Sequence, residues 1–395
     1  MGMKNSETGD SRAPVGTGVG GSKEVTLAAL RADIDAIDER LVELLARRYA
    51  KVQQVTALKH SLRLPVYHPA REENLVSKRR EQARRVGLDP DHVEELYRCI
   101  LRQSRVRQVA HREGLGVRPG ARVLIVGGDG NMGRFFCRWF TQAGYEVRIL
   151  EINDWARVAD LCEGIDLALI CVPIDRTPEV ILKLGPSLPS GCLLADITSV
   201  KQVPLAAMLA AHSGPVMGFH PLFGSTVPTM DKQIMAATPG RSPEACQWLV
   251  DQFVNWGNVV LSIDAAEHDR MMGIIQALRH FASFAFGRFL CQKNVSLTRS
   301  LELSSPIYRL ELGMVGRFFA QDARLYAEII FASPERRALL REFIGSLAAH
   351  DEMLRSGDKE AFCDQFKRVA DWFGPFSEQA MRESSFLINK LVERF

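Results

Sequence analysis

The sequence predicts a multidomain chain: an all-α N-terminal domain, a central α/β domain with a doubly wound parallel sheet, and an all-α C-terminal domain. Three observations predict it. Apolar residues recur at spacings of three and four from Leu27 to Val55, with no Gly or Pro between them. Near residue 121 the pattern changes to short apolar strands alternating with helical stretches. From about Asp264 to the end the helical spacing returns. The domains read as a disordered tail over 1–22, a helical domain over 23–113, a linker over 114–120, an α/β domain over 121–263 and a helical domain over 264–395.

The bulk numbers fit this division. A chain of 395 residues, 46% hydrophobic and 25% charged, has enough apolar material for two or three cores. A net charge of +3 is too small to argue for nucleic acid. No early apolar segment resembles a signal peptide and no apolar run reaches about 18 residues, so the expectation is a cytoplasmic protein without a membrane partner. Eight scattered cysteines without a Cys-x-x-Cys pair read as reduced thiols, and no metal site is expected.

Residues 1–22, rich in Gly, Ser and Thr, lack a periodic apolar pattern. A first helix is expected from about Lys23 to His60, its stripe formed by Leu27, Leu30, Ile34, Ile37, Leu41, Leu44 and Leu45 and continued by Val52 and Val55. A helix so long outruns an ordinary domain and needs partners along its length, which predicts a helical dimer. Pro69 starts a second helix that stops at Gly87. Asp89-Pro90 caps a third that runs to about Arg112. Strands follow at 122–126, 147–151, 167–172 and 193–196, near Val216, and at 258–262.

Gly128-x-Gly130-x-x-Gly133 follows the first of these strands and opens a helix, and Glu151 ends the next strand. In that context the glycines read as a dinucleotide-binding turn of the Rossmann type: Gly128 turns the chain, Gly130 admits a pyrophosphate and Gly133 lets helix and strand pack closely. Asn131 and Met132 supply the helix N-terminus to the phosphates. A carboxylate at Glu151 would accept from a ribose and repel a 2′-phosphate, which favours NAD over NADP.

His220 lies in Gly218-Phe219-His220-Pro221-Leu222-Phe223-Gly224, read as a shaped loop after the strand near Val216. Asp196 to Lys201 ends the preceding strand in the same way. With Cys171-Val172-Pro173, Glu267-His268-Asp269, Gln276 to His280 and Gly316 to Asp322, these pieces make the chain from about residue 121 to the end resemble a prephenate dehydrogenase. The resemblance implies that prephenate loses a hydride to NAD and carbon dioxide to solvent. It places His220 as the base that takes the ring hydroxyl's proton, with Ser199 bonding that hydroxyl or orienting His220. It makes Arg317 the fork for a substrate carboxylate, and sets Lys201 and His280 in or beside the site. Val172 and Pro173 would line the cofactor. His268 is expected behind the site or at a helix cap, and His212 at the periphery. The apolar residues Phe281, Phe284, Phe286, Phe289 and Leu290 read as core or interface.

The N-terminal stripe carries an oddity. Arg48 stands seven residues after Leu41 and seven before Val55, and Lys59 four further on. Cations on a buried seam are costly unless paired, and an anionic ligand would explain them; snorkelling to the surface is the other reading. Residues 24–110 resemble the all-helical chorismate mutase found fused to prephenate-processing enzymes. Arg31, Arg48, Lys59, Arg71, Glu72, Ser104 and Gln108 fall on that family's active-site positions, while His68 replaces an acid often found three residues before the Arg at 71. The resemblance implies that Arg31, Arg48 and Arg71 hold two carboxylates, Lys59 and Gln108 donate to the ether oxygen of chorismate, and Glu72 accepts from its ring hydroxyl. It also implies a homodimer, with Arg31 supplied by the partner chain, and inhibition by tyrosine. The run Lys78-Arg79-Arg80 reads as a solvated helix face. Two alternatives stay open: a helical domain that only dimerises or regulates, and arogenate in place of prephenate.

Overall fold

The computed structural model describes residues 26–61, 68–110 and 116–392. The tail expected over 1–22 lies outside the described residues; residues 116–120 of the expected linker form bends and turns. The chain divides after Leu58 into two compact units.

Helix α1 spans Leu27–Ser61. At 35 residues it is about 50 Å long. The Thr26 hydroxyl accepts from the Ala29 N–H at its start. Leu30, Ile34, Ile37 and Leu41 of the predicted stripe are each about half exposed. A second face is shielded: Leu45, Arg48, Val52 and Lys59 are half-buried and Thr56 is buried.

In the second unit, α2 (Pro69–Arg85) and α3 (Pro90–Ala110) pack side by side. Arg98 reaches Glu73 on α2 at 3.1 Å and Glu94 on its own helix at 2.7 Å. The basic run is only partly a solvated face, because Arg80 pairs with Asp91 at 2.6 Å and with Glu94. His68 caps α2, its Nδ1 accepting from the Arg71 N–H at 3.3 Å. By contacts these two helices fall in the same unit as the α/β body. The buried guanidinium of Arg105 on α3, bonded to Asp231 beyond the sheet strands, is one physical reason.

The body is a seven-stranded sheet in the order β2-β1-β3-β4-β5-β6-β7. The strands are β1 (Arg122–Val126), β2 (Glu146–Leu150), β3 (Leu167–Ile170), β4 (Leu193–Asp196), β5 (Val216–Pro221), β6 (Ile234–Pro239) and β7 (Val259–Ser262). Alternation along β1 builds two cores. Val123 and Ile125 meet Phe136, Phe140, Phe253 and Trp256 on one face. Leu124 and Val126 meet Ile181, Leu184 and Met208 on the other. Those residues come from α4 (Asn131–Gln142), α6 (Thr177–Leu184), α7 (Gln202–Ala211) and α8 (Pro243–Asn255), with the short α5 (Val158–Cys162) beside β2.

The sheet departs from the expected all-parallel form. β6 has no counterpart among the expected strands, and it runs antiparallel to β5. Its Ala-Ala pair has weak strand propensity, and its hydrogen bonds to β5 and β7 declare it. The loop 222–233 is an antiparallel return that needs no crossover helix. His220 therefore sits within β5, opposite Ala236, and not in a loop beyond the strand.

Past the sheet the chain is helical, with α9 (Ala265–Met272), α10 (Arg279–Gln292), α11 (Leu297–Glu302), α12 (Pro306–Phe319), α13 (Ala323–Phe331), α14 (Pro334–Ala348), α15 (Asp351–Ser356), α16 (Lys359–Phe373) and α17 (Phe376–Val392). Between α9 and α10 lies a π-helical turn, Gly273–Leu278. Such turns mark places where a helix is re-aimed, often at functional sites.

Candidate functional site

The glycine turn follows β1. Gly127, one residue earlier than the sequence motif implies, carries the left-handed backbone, with φ of +80°. Gly133 admits no side chain: a Cβ there would lie 2.1 Å from the Gly127 carbonyl oxygen. Gly130 is the N-cap of α4, Asn131 and Met132 open that helix, and Gly128 lies against the Ile149 side chain. Glu151, just past β2, accepts from the Asp129 N–H at 2.7 Å, which fastens the acid to the loop. Val172 and Pro173 follow β3, with Val172 against Gly127. A turn that excludes side chains, an open helix N-terminus and an acid at the second strand's end fit a dinucleotide.

The carboxyl ends of β4 and β5 carry the chemistry. Asp196 is fully buried; its Oδ2 accepts from the Thr198 N–H at 3.0 Å and from the Lys201 ammonium. Lys201 also donates to the Phe219 carbonyl at 2.6 Å and is fully buried. It was expected in or beside the site, and its charge acts on His220. Its ammonium holds β4 to β5 from behind and has no exposed face to offer a ligand. Burial lowers its pKa, against the pull of Asp196.

His220 is buried and begins a polar chain. Its Nδ1 stands 2.9 Å from His268 Nε2, and His268 Nδ1 stands 2.9 Å from Asp269 Oδ1. Asp269 also accepts from the N–H groups of Lys201 and Gln202, at 2.8 and 3.0 Å, at the start of α7. Burial opposes the Asp269 charge, but the bonds from His268 and these amides outweigh it and hold the carboxyl below its ordinary range. The proton positions follow from this order. A carboxylate only accepts, so His268 donates from Nδ1 and accepts at Nε2. His220 must then donate from Nδ1, which leaves its Nε2 with the free lone pair. Gln276, on the π-helical turn, places its Nε2 3.2 Å from that nitrogen. Burial above all, with the charges of Lys201 and Arg336 adding to it, pushes the His220 pKa well below the usual value. The ring is a neutral base at neutral pH.

Around this chain stand the other expected residues. Ser199 is half-buried, and its carbonyl accepts from Arg336 at 3.2 Å. His280 is buried between Phe318 and Tyr326, with ring centroids at 5.8 and 4.6 Å. Burial and then Arg279 lower its pKa to about 4, so it can donate but carries no charge at neutral pH. Arg317 is exposed beside Phe318, and its charge acts on the Tyr326 hydroxyl. The cofactor loop is tied to the helical domain where the Ile174 N–H meets Glu328 of α13 at 3.1 Å. His212 is peripheral, bonded to the Cys192 carbonyl at 2.7 Å.

Asp269, Gln276 and Arg336 were missed as individuals. The first two lie inside motifs that sequence reading singles out, so contact with His220 was the absent datum. Arg336 gives no signal: Pro334-Glu335-Arg336-Arg337 looks like a solvated helix start, yet it is 3% exposed.

The expected mutase residues lie on α1, α2 and α3. Arg31 is exposed and Arg48 half-buried on α1. In the second unit, Lys59 is half-buried and Arg71 exposed. Glu72 accepts from Arg105 through both oxygens, at 2.7 and 2.6 Å. Ser104 is buried and donates to the Ile100 carbonyl at 2.7 Å. The Gln108 Oε1 is buried with no hydrogen-bond partner among the described residues. A buried amide end left open is costly, and a ligand donor would satisfy it.

Three family models match the chain: type II chorismate mutase over residues 30–109, the prephenate dehydrogenase nucleotide-binding domain over 142–250, and its dimerisation domain over 264–368. The T-protein of Enterobacter agglomerans is 43% identical over 92% of this chain and 97% of its own length. The chain belongs to the T-protein family. The Haemophilus influenzae T-protein is 41% identical over the same shares. The fold of the dehydrogenase portion is also that of prephenate dehydrogenase from A. aeolicus, solved with hydroxyphenyl propionate and NAD+, at a TM-score of 0.52 and 20% identity, covering 64% of this chain and 96% of that one. The N-terminal helices are thus a chorismate mutase and the remainder an NAD-binding prephenate dehydrogenase, on one chain of tyrosine biosynthesis. Among the described residues, no helix is long and apolar enough to cross a membrane.

Proposed function

We infer that the chain rearranges chorismate to prephenate and then converts prephenate to 4-hydroxyphenylpyruvate, with the residues named above in the following roles. The observation that carries the dehydrogenase assignment is the line Asp269–His268–His220, which leaves one unprotonated nitrogen, His220 Nε2. Bound NAD supplies the hydride acceptor. Gly128, Gly130, Asn131, Met132 and Gly133 hold its phosphates, Glu151 its ribose, and Val172 and Pro173 its flank.

Prephenate's ring hydroxyl gives its proton to His220 Nε2, taking the place of the Gln276 amide there, while Ser199 orients it. As the carbonyl forms, the hydrogen on the same carbon departs as hydride. The carboxylate on the ring leaves as carbon dioxide, its bonding pair completes the aromatic ring, and the former carbonyl oxygen takes the proton back from His220 as the phenol forms. Arg317 holds the side-chain carboxylate as a planar fork and neutral His280 donates beside it. Lys201 keeps its part in catalysis only as a positioning residue, through Asp196 and β5.

The mutase step is an intramolecular [3,3] shift without covalent chemistry. The protein selects the folded conformer and stabilises charge growing on the ether oxygen. Arg31, Arg48 and Arg71 hold the two carboxylates, Lys59 and Gln108 donate to the ether oxygen, Glu72 accepts from the ring hydroxyl, and Ser104 shapes the wall. The long exposed stripe of α1 supports a homodimer in which the partner chain supplies Arg31. Tyrosine, which resembles the product, is an inhibitor in this reading through the Arg317 pocket. Cytoplasmic placement suits eight free cysteines, several of them buried thiols with raised pKa.

The test follows chorismate loss, NADH and the keto-acid together. Wild type makes NADH from chorismate. His220→Asn stops at prephenate, and Lys59→Ala makes NADH only from added prephenate. If chorismate persists while prephenate still yields NADH, the mutase roles fall. If only arogenate yields NADH, the substrate assignment falls.

A further inference from the structure

One buried cation joins the two halves of the second unit. Arg105 on α3 is 5% exposed. Its Nη1 contacts both oxygens of Glu72, at 2.7 and 2.6 Å, and its Nε both oxygens of Asp231, at 3.0 and 2.9 Å. Asp231 is itself 8% exposed, and its neighbour Lys232 places Nζ 3.6 Å from Glu72. One buried guanidinium thus holds two shielded carboxylates, with the partly exposed Lys232 ammonium beside them. Burying charges is justified energetically only when each is met, and removal of any member strands the others. Nothing in either core needs such a cluster. The cluster joins both sites: Glu72 is the carboxylate assigned to the ring hydroxyl of chorismate, and Asp231 lies on the loop that leaves the His220 strand and returns as β6.

That loop is a constrained one. Lys232 has a left-handed backbone, φ of +58°, and its N–H bonds the Gly257 carbonyl at 2.9 Å. The Met230 side chain is fully buried. The Leu222 N–H bonds the Ile234 carbonyl at 2.9 Å, closing the loop two residues after His220. A shift of Asp231 is therefore resisted at both ends of the loop.

We propose that Arg105 is a positioning residue for the mutase, orienting Glu72 from an anchor on the dehydrogenase loop, so that Asp231 and Lys232 act in the chorismate reaction without touching chorismate. A guanidinium suits this task because its planar fork can face two carboxylates at once, which a point-charge ammonium cannot do. The anchor also explains why α2 and α3 belong with the α/β body. The proposal rests on the reading of Glu72 as a substrate contact.

The experiment uses the full-length protein and reads kcat and KM for chorismate in Asp231→Asn, Arg105→Leu, Arg105→Lys and Glu72→Gln. Glu73→Gln, which breaks an exposed bridge on the same helix, is the control. Asp231→Asn is expected to raise KM for chorismate about tenfold with kcat nearly unchanged, the scale of coupling within one buried network. Arg105→Leu should do more and Arg105→Lys less. A purely structural tether would instead lower thermal stability and the amount of active enzyme, leaving KM at its wild-type value. If Glu72→Gln impairs the mutase while Asp231→Asn and Arg105→Leu leave KM unchanged, the bridge is overturned and the reading of Glu72 stands. If Glu72→Gln itself has no effect on the mutase, both are overturned.

Discussion

His220 depends on what lies behind it. Its reactive nitrogen is selected by His268, which is selected in turn by Asp269, and Asp269 is held ionised at the start of α7. Replacing His268 removes the acceptor for His220 Nδ1 and frees the ring to take the wrong tautomer. His268→Ala is expected to lower dehydrogenase kcat/KM about a hundredfold, the scale seen when an orienting partner is lost. Mutase activity in the same sample reports that the protein is folded. The pH dependence has a definite sign. Burial and neighbouring cations lower the His220 pKa, and the neutral ring is the active form. In the free enzyme, log kcat/KM for prephenate should stay flat through neutral pH. Its acid limb should fall below the ordinary histidine value of about 6.5. A limb at or above that value would refute the burial argument.

Elements place these residues by a few uncompromising contacts. The turn between β1 and α4 has no room at Gly133, where a Cβ would overlap the Gly127 carbonyl at 2.1 Å. That atom is backbone and cannot swing away. Gly133→Ala should weaken NAD binding at least about tenfold, because the phosphate-binding helix N-terminus must move by an appreciable fraction of an ångström. Titration of NAD against intrinsic fluorescence checks this, with chorismate turnover as the folding control. The π-helical turn plays the corresponding part on the other side of the site. It brings Gln276 to His220, and two residues beyond its end His280 enters the Phe318–Tyr326 box.

At the scale of the whole molecule, two buried histidines set the acid side of stability. His280 is pushed down to about 4 and His220 lies well below its usual value, both chiefly by burial. In the unfolded chain each titrates near about 6.5. Above that pH both states are neutral, and the shift contributes nothing. As pH falls from about 6.5 toward 4, the unfolded chain takes up the protons first, so stability is lost in that window. Denaturation midpoints measured from pH 7.5 down to 4.5 should fall, and less steeply in His280→Phe. An unchanged slope in that variant would exclude His280 as a source. The homodimer proposed above would cover the face of α1 on which Leu30, Ile34, Ile37 and Leu41 are about half exposed.

The sequence alone determined most of the helices, the cofactor turn and the fold class, because each rests on local chemistry. Capping residues, a glycine that excludes a Cβ and a heptad-spaced cation need few distant contacts to be read. His220 was legible from its motif. Only the tertiary structure decided that it lies in a strand, that Lys201 is sealed behind it, and that His268, Asp269 and Gln276 fix its proton. β6 was illegible because Ala-Ala-Thr-Pro forms a strand only between the partners that β5 and β7 offer it. The burial of Arg336 and Arg105 had no local sign, since nothing local separates a solvated arginine from one buried against a remote carbonyl or carboxylate. Burial is a property of the packed chain, and so are the pKa shifts and ion pairs that follow from it.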